Sequence, residues 1–151
     1  NCAYKFKNSY ILAYGDKALD KVSQKPKNLT IISAQISRYI IGQKIVLKEE
    51  MNETLDVIRN QLTKAGIKNI TAIDVENVSE IEVTLDNKII LQIGSTENIE
   101  KKCKNAAKIV EAERKKYGQE VQGYVNLKYL TGDSNKSYFT RENIEKEDTK
   151  P

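Results

Sequence analysis

The chain has 151 residues, 39% of them apolar and 30% charged, with a net charge of +4 and no histidine or tryptophan. That length suffices for one domain burying roughly two-thirds of its unfolded surface. The absence of histidine excludes Ser-His-Asp triads, Cys-His pairs and histidine zinc sites, and no run of about 18 apolar residues is present to span a bilayer.

Residues 3–7 and 10–14 alternate as two short strands, with Lys7-Asn8-Ser9 as the turn, and 18–22 adds a brief third. A chain that opens directly on such alternation reads as an excised fragment whose upstream part is missing. Residues 23–28, with the interior Pro26, form a loop, and the β-branched stretch 29–46, interrupted by Gly42, forms short strands. Leu55, Ile58, Leu62 and Ala65 recur at three-and-four spacing and predict a helix over 51–65, with Asn52 as N-cap and Gly66 as its left-handed stop. In 69–75, Thr71, Ile73 and Val75 make the core face of a strand, and Ile70, Ala72 and Asp74 the other.

From Glu80 the pattern sharpens. Ile81, Val83 and Leu85 alternate with Glu82, Thr84 and Asp86, the mark of a sheet with one dry face. Asp86-Asn87 accepts positive φ and predicts a hairpin turn. The return strand, 88–93, is apolar at nearly every position and ends at Gly94. Ser95 or Thr96 caps a long helix that runs to Tyr117, with Gly118 as its stop and a core stripe of Ile99, Cys103, Ala106, Val110 and Tyr117. The last strong strand covers 122–130, with Val125, Leu127 and Tyr129 on one side and Tyr124, Asn126 and Lys128 on the other. Residues 137–140 fold back as a closing strand or stay apart from it. The charged end, 141–151, lacks an apolar face and reads as a disordered tail.

Chemistry is sparse. Glycines are dispersed, with no G-x-G-x-x-G or Walker pattern, and the carboxylate pairs sit where solvated charges normally sit. No cofactor is expected, and the chain is expected not to be an enzyme. Cys2 and Cys103 match no metal spacing. They read as buried free thiols, or as a disulfide only if the chain is exported. The Lys/Tyr strand at 124–129 suggests a stacking surface for RNA, but it lacks the Gly-aromatic consensus of an RNA-recognition strand. An RNA-binding or ribosome-associated module is therefore the second reading. The first is protein–protein binding at the edge of the last strong strand, 122–131, whose unpaired N–H and C=O groups take a strand from another polypeptide unless 137–140 covers that edge.

The stretch 81–132 resembles the β-domain of the bacterial cell-division proteins FtsQ/DivIB. The matching features are the strand pair ending in Ile93-Gly94, the helix opening on the Glu-Asn-Ile-Glu-Lys-Lys run at 97–102, and Gly-Tyr-Val-Asn-Leu-Lys-Tyr at 123–129. Asn126 and Lys128 stand where the family has an acidic residue and an arginine. The resemblance implies an α+β fold, with two helices packed on a mostly antiparallel sheet over 1–140. It implies a transmembrane helix upstream of Asn1 and a position on the extracytoplasmic side of the membrane, at the division septum. The implied function is non-catalytic scaffolding of septal peptidoglycan synthesis, through FtsB/DivIC-like and FtsL-like partners and without nucleic acid. Carried over by position, partner contacts fall on Lys128, Tyr129, Thr131 and Gly132, with Tyr124 on the same strand and Tyr138 as an addition.

Overall fold

The computed structural model describes residues 1–129 and 138–144. In chain order the elements are β1 (Cys2–Phe6), β2 (Ser9–Tyr14), β3 (Lys17–Val22), β4 (Thr30–Ser33), β5 (Ile36–Arg38), β6 (Val46–Leu47) and α1 (Glu49–Lys64). They continue as β7 (Ile70–Asp74), β8 (Ile81–Leu85), β9 (Ile89–Gly94), α2 (Ile99–Tyr117), β10 (Gly123–Asn126) and β11 (Tyr138–Arg141). Nine strands form one sheet in the order β11-β10-β9-β8-β7-β4-β1-β2-β3, and β5 and β6 form a separate ribbon.

The class is α+β, with two helices on a large mixed sheet. The pairs β1–β4, β4–β7 and β9–β10 are parallel, and the other neighbours in that sheet are antiparallel. Two of the parallel pairs are joined through helices, β4 to β7 by way of α1 and β9 to β10 by way of α2. Parallel neighbours need such a long crossover, because a tight turn can only reverse the chain.

Strand register lines up one apolar row across the sheet. Val125, Leu91, Val83, Ile73, Ile32, Tyr4 and Ile11 are successive cross-strand partners, and each is at most 3% exposed. Met51, Leu55, Ile58 and Leu62 of α1 and Cys103, Ala106 and Val110 of α2 join them in one core. Each fully buried side chain of this size stabilises the fold by about 1.5–3 kcal/mol. The opposite face carries Tyr124, Ile90, Thr84 and Ala72 in one row, and Asn126, Gln92, Glu82 and Asp74 in the next. These side chains are half-buried, held by their neighbours on the sheet.

Most predicted elements are present, with shifted ends. α1 starts at Glu49, so Asn52 lies inside it rather than capping it. The Lys48 carbonyl accepts the N–H groups of Met51 and Asn52, and Glu49 and Glu50 complement the positive helix end. α2 starts at Ile99 behind Asn98, which is left-handed with φ 55° and makes no side-chain cap. Ser95 instead accepts the Glu97 N–H at 3.3 Å. The 86–87 hairpin forms as expected, with φ of 53° and 55°. Tyr117 is not a core residue but 45% exposed, covered on one ring face by the Arg141 guanidinium at 4.0 Å.

Lys102 is the opposite surprise, because it is 1% exposed. Its stem lies in the core, while Nζ donates to the Ser95 carbonyl at 2.9 Å. Burial lowers its pKa, since desolvation penalises the charged form. Both cysteines are buried and unpaired. Burial raises the Cys103 thiol to about 11, so it stays protonated and unreactive at neutral pH.

β10 is shorter than expected and ends at Asn126, and β11 folds back along it, so the strand edge expected to stay open for a partner is covered by the chain itself over 123–126. The expected tail is docked over its first residues. Arg141 closes β11, the Ile144 side chain is buried, and the Ile144 N–H donates to Gln122 Oε1 at 2.9 Å. Residues 145–151 lie outside the described residues. β10 and β11 approach closely at Gly123, where a Cβ would collide with the Thr140 carbonyl and reach 2.7 Å from Phe139 Cε1. Backbone cannot yield there without the strands parting. Gly123→Ala is therefore expected to cost about 1–3 kcal/mol. It should speed amide hydrogen exchange at residues 138, 140 and 142 selectively, leaving β7 to β9 protected; uniform loss of protection would show that β11 is not separately displaceable.

Candidate functional site

The two edges of the sheet differ. Beyond β3 the chain covers the start of its own edge: Ala18 N–H donates to Gln43 O at 2.8 Å, Gly42 N–H to Ala18 O at 2.7 Å, and Ile45 N–H to Asp16 O at 2.7 Å. At the other end β11 is the last strand, and among the described residues nothing pairs with its outer side. An uncovered strand edge is the feature most open to addition of another strand.

Which backbone groups face outward follows from the ladder. Gly123 and Leu127 donate their N–H to the Lys88 and Gln92 carbonyls, toward β9, while Glu142 donates to Gln122 O, toward β10. Strand groups alternate in direction, so Tyr138, Thr140 and Glu142 face β10. Phe139 and Arg141 direct their N–H and C=O groups away from the sheet. Side chains alternate the other way. Phe139 turns into the core and Tyr138, 61% exposed, lies on the open face.

Arg141 ties β11 to the helix layer. Its guanidinium lies over the Tyr117 ring and its Nη1 is 3.5 Å from Glu113 Oε2. Past the end of β10, Lys128 Nζ reaches toward β8 and meets Glu80 Oε2 at 2.8 Å, and the Lys128 N–H donates to Asn126 Oδ1 at 3.1 Å, turning the chain out of the strand. A Cβ on Gly94 would come 3.3 Å from Lys128 Cγ, so the lysine stem packs across the end of β9. The hydrogen bond to Glu80 raises the Lys128 pKa. Glu82, next on the open face, is raised in pKa by partial burial first and by Asp74 second, with Lys128 opposing.

The residues expected to carry partner contacts separate into four groups. Lys128 and Tyr129 follow β10, Tyr129 being 73% exposed. That exposure corrects its assignment to the same side as Val125 and Leu127, because the strand ends at Asn126 before the alternation reaches it. Tyr138 lies on the edge strand itself. Tyr124 is half-buried on β10 with β11 between it and the edge. Thr131 and Gly132 lie outside the described residues. The sequence reading missed Phe139 and Arg141, whose contribution is main-chain; only the direction of the β10 ladder reveals it.

Among the described residues no three His, Cys, Asp or Glu side chains converge as metal donors, and no helix is long and apolar enough to cross a membrane. Neither a protein-family model nor a curated protein matches the chain.

Glu82, on β8 and separated from β11 by two strands, gives a test of the electrostatics around Lys128. Its folded pKa lies above its ordinary value of 4.5. The native state thus holds this proton more tightly, and stability falls as pH rises from about the ordinary value through the raised one. Glu82→Gln removes that loss. The variant is expected to melt above the wild type at pH 7, with the gap narrowing as pH falls below the ordinary carboxylate range. A gap of equal size at every pH would rule out Glu82 ionisation as its source.

Proposed function

We propose that this domain is a non-catalytic scaffold of the FtsQ/DivIB type, acting on the extracytoplasmic side of the membrane in cell division. It binds FtsB/DivIC-like and FtsL-like partners by strand addition along β11. The single observation that carries this reading is the asymmetry of the sheet: one edge covered at its start by residues 42–45 of the chain itself, the other ending in β11. The succession of hairpin, long helix and closing strands at 81–141 supports it. So does the presence of Tyr129 and Tyr138, both exposed, at the same end of the sheet.

The energetics favour a mixed interface. The outward groups of Phe139 and Arg141 offer up to about four main-chain hydrogen bonds at roughly 0.5–1.5 kcal/mol net each. Association costs about 4–15 kcal/mol. Backbone pairing alone falls short, so the aromatic side chains beside the strand must supply the remainder, as buried aromatic anchors do elsewhere. The RNA-binding reading gains no such support, since Tyr124 is half-buried and Lys128 is ion-paired to Glu80.

Calorimetry against the extracytoplasmic segments of the FtsB/DivIC-like and FtsL-like proteins of the same organism tests the proposal. Arg141→Ala keeps the outward N–H and removes the guanidinium; Arg141→Pro also removes the N–H. Binding is expected to fall at least about tenfold further in the proline variant than in the alanine variant, one hydrogen bond at the upper end of its usual range. Equal affinities of the two variants would sink strand addition at this edge.

A further inference from the structure

The outer side of β11 is complementary to itself. The geometry points to a second copy of this chain as its occupant, two β11 strands pairing antiparallel about a two-fold axis through Thr140. Because Phe139 and Arg141 hold the outward groups, this axis sets Phe139 of each copy against Arg141 of the other. Each such pair exchanges two N–H···O bonds. The contact is isologous, the usual form for a symmetric dimer.

Side chains support this register. Thr140 meets Thr140 on the open face as a non-hydrogen-bonded pair, and such threonine pairs are favourable across strands. Tyr138 stands opposite Glu142, and Phe139 opposite Arg141, so no like charges face each other. An axis through Arg141 would instead oppose two guanidinium groups, and one through Glu142 two carboxylates. An axis nearer Tyr138 carries Arg141 past the described part of the strand.

β11 is short, which limits an edge, but it lacks several other protections. Its sequence, Tyr-Phe-Thr-Arg, contains no proline or lysine, and its pairing with β10 runs without a bulge. Its one charge is drawn back onto Tyr117 and Glu113. An isologous contact uses the β11 edge of both copies at once, so this pairing closes at two copies. A consequence that rests on the strand-addition reading above is competition: self-pairing occupies the groups a partner strand would use.

Site-directed cross-linking of the full chain tests the pairing. In this register the two Thr140 Cα atoms are about 4.5 Å apart, within the range that a disulfide bridges. The two Tyr138 residues are offset by four positions, about 14 Å along the strand. Cys2 and Cys103 are buried and contribute no link. Mild oxidation of concentrated Thr140→Cys is expected to give a covalent dimer at least about tenfold faster than Tyr138→Cys, by the same geometric limit. A Thr140→Cys chain that stays monomeric, or a Tyr138→Cys chain that links equally fast, overturns the proposal. The cross-linked Thr140→Cys dimer should also fail to bind a DivIC-like segment that the reduced chain binds. If the reduced chain does not bind either, the strand-addition reading fails, while the cross-linking rates still decide self-pairing.

Discussion

One dry row of side chains, running across the sheet from Val125 through Leu91, Val83, Ile73, Ile32 and Tyr4 to Ile11, is the constraint on which the fold depends. A one-residue slip of any strand would turn its member of the row to the open face. Register is therefore set by burial, and the helices follow from it, since the row needs a lid across a wide sheet. At about 1.5 Å per residue, the 19 residues of α2 span about 28 Å. The two small-residue positions Cys103 and Ala106 let it sit low on the strands.

The strongest local patterns were legible in sequence. The β8–β9 hairpin was written in alternation and in Asp86-Asn87, and the stops at Gly66, Gly94 and Gly118 were written in glycine. The parallel pairings were not, because period-2 alternation says which face a residue takes and nothing about the neighbouring strand. Lys102 defeated the reading for a different reason. Its charge made it a solvent residue by type, whereas its long stem is buried and only the ammonium needed a partner, which the Ser95 carbonyl provides. Tyr117 erred in the other direction: it falls on the apolar stripe of α2, but it meets the Arg141 guanidinium of β11 and stays 45% exposed.

The candidate site was half legible. Aromatic residues near the last strands stood out, but the edge belongs to β11, whose four residues are too few to carry a periodic signal. Its attachment is assembled from contacts distant in sequence. Phe139 lies under the core, Arg141 lies on a helix residue 24 positions earlier, and the Ile144 N–H reaches a glutamine side chain before β10. Gly123 is the local condition for all of them, since only a residue without Cβ lets the two backbones come so close.

Strand order also has a mechanical consequence. β1, which begins the described chain, lies six strand positions from β11, a separation of about 29 Å at roughly 4.8 Å per strand. Tension between Cys2 and Arg141 therefore acts along the ladder hydrogen bonds, across the strands. Under such a load a sheet unzips one strand at a time instead of shearing as a block. The shortest links in that series are the parallel pairs β1–β4 and β4–β7, three residue pairs each against four for β10–β11, so the load concentrates at the centre of the sheet, where the core beneath Ile32 and Ile73 has to carry it.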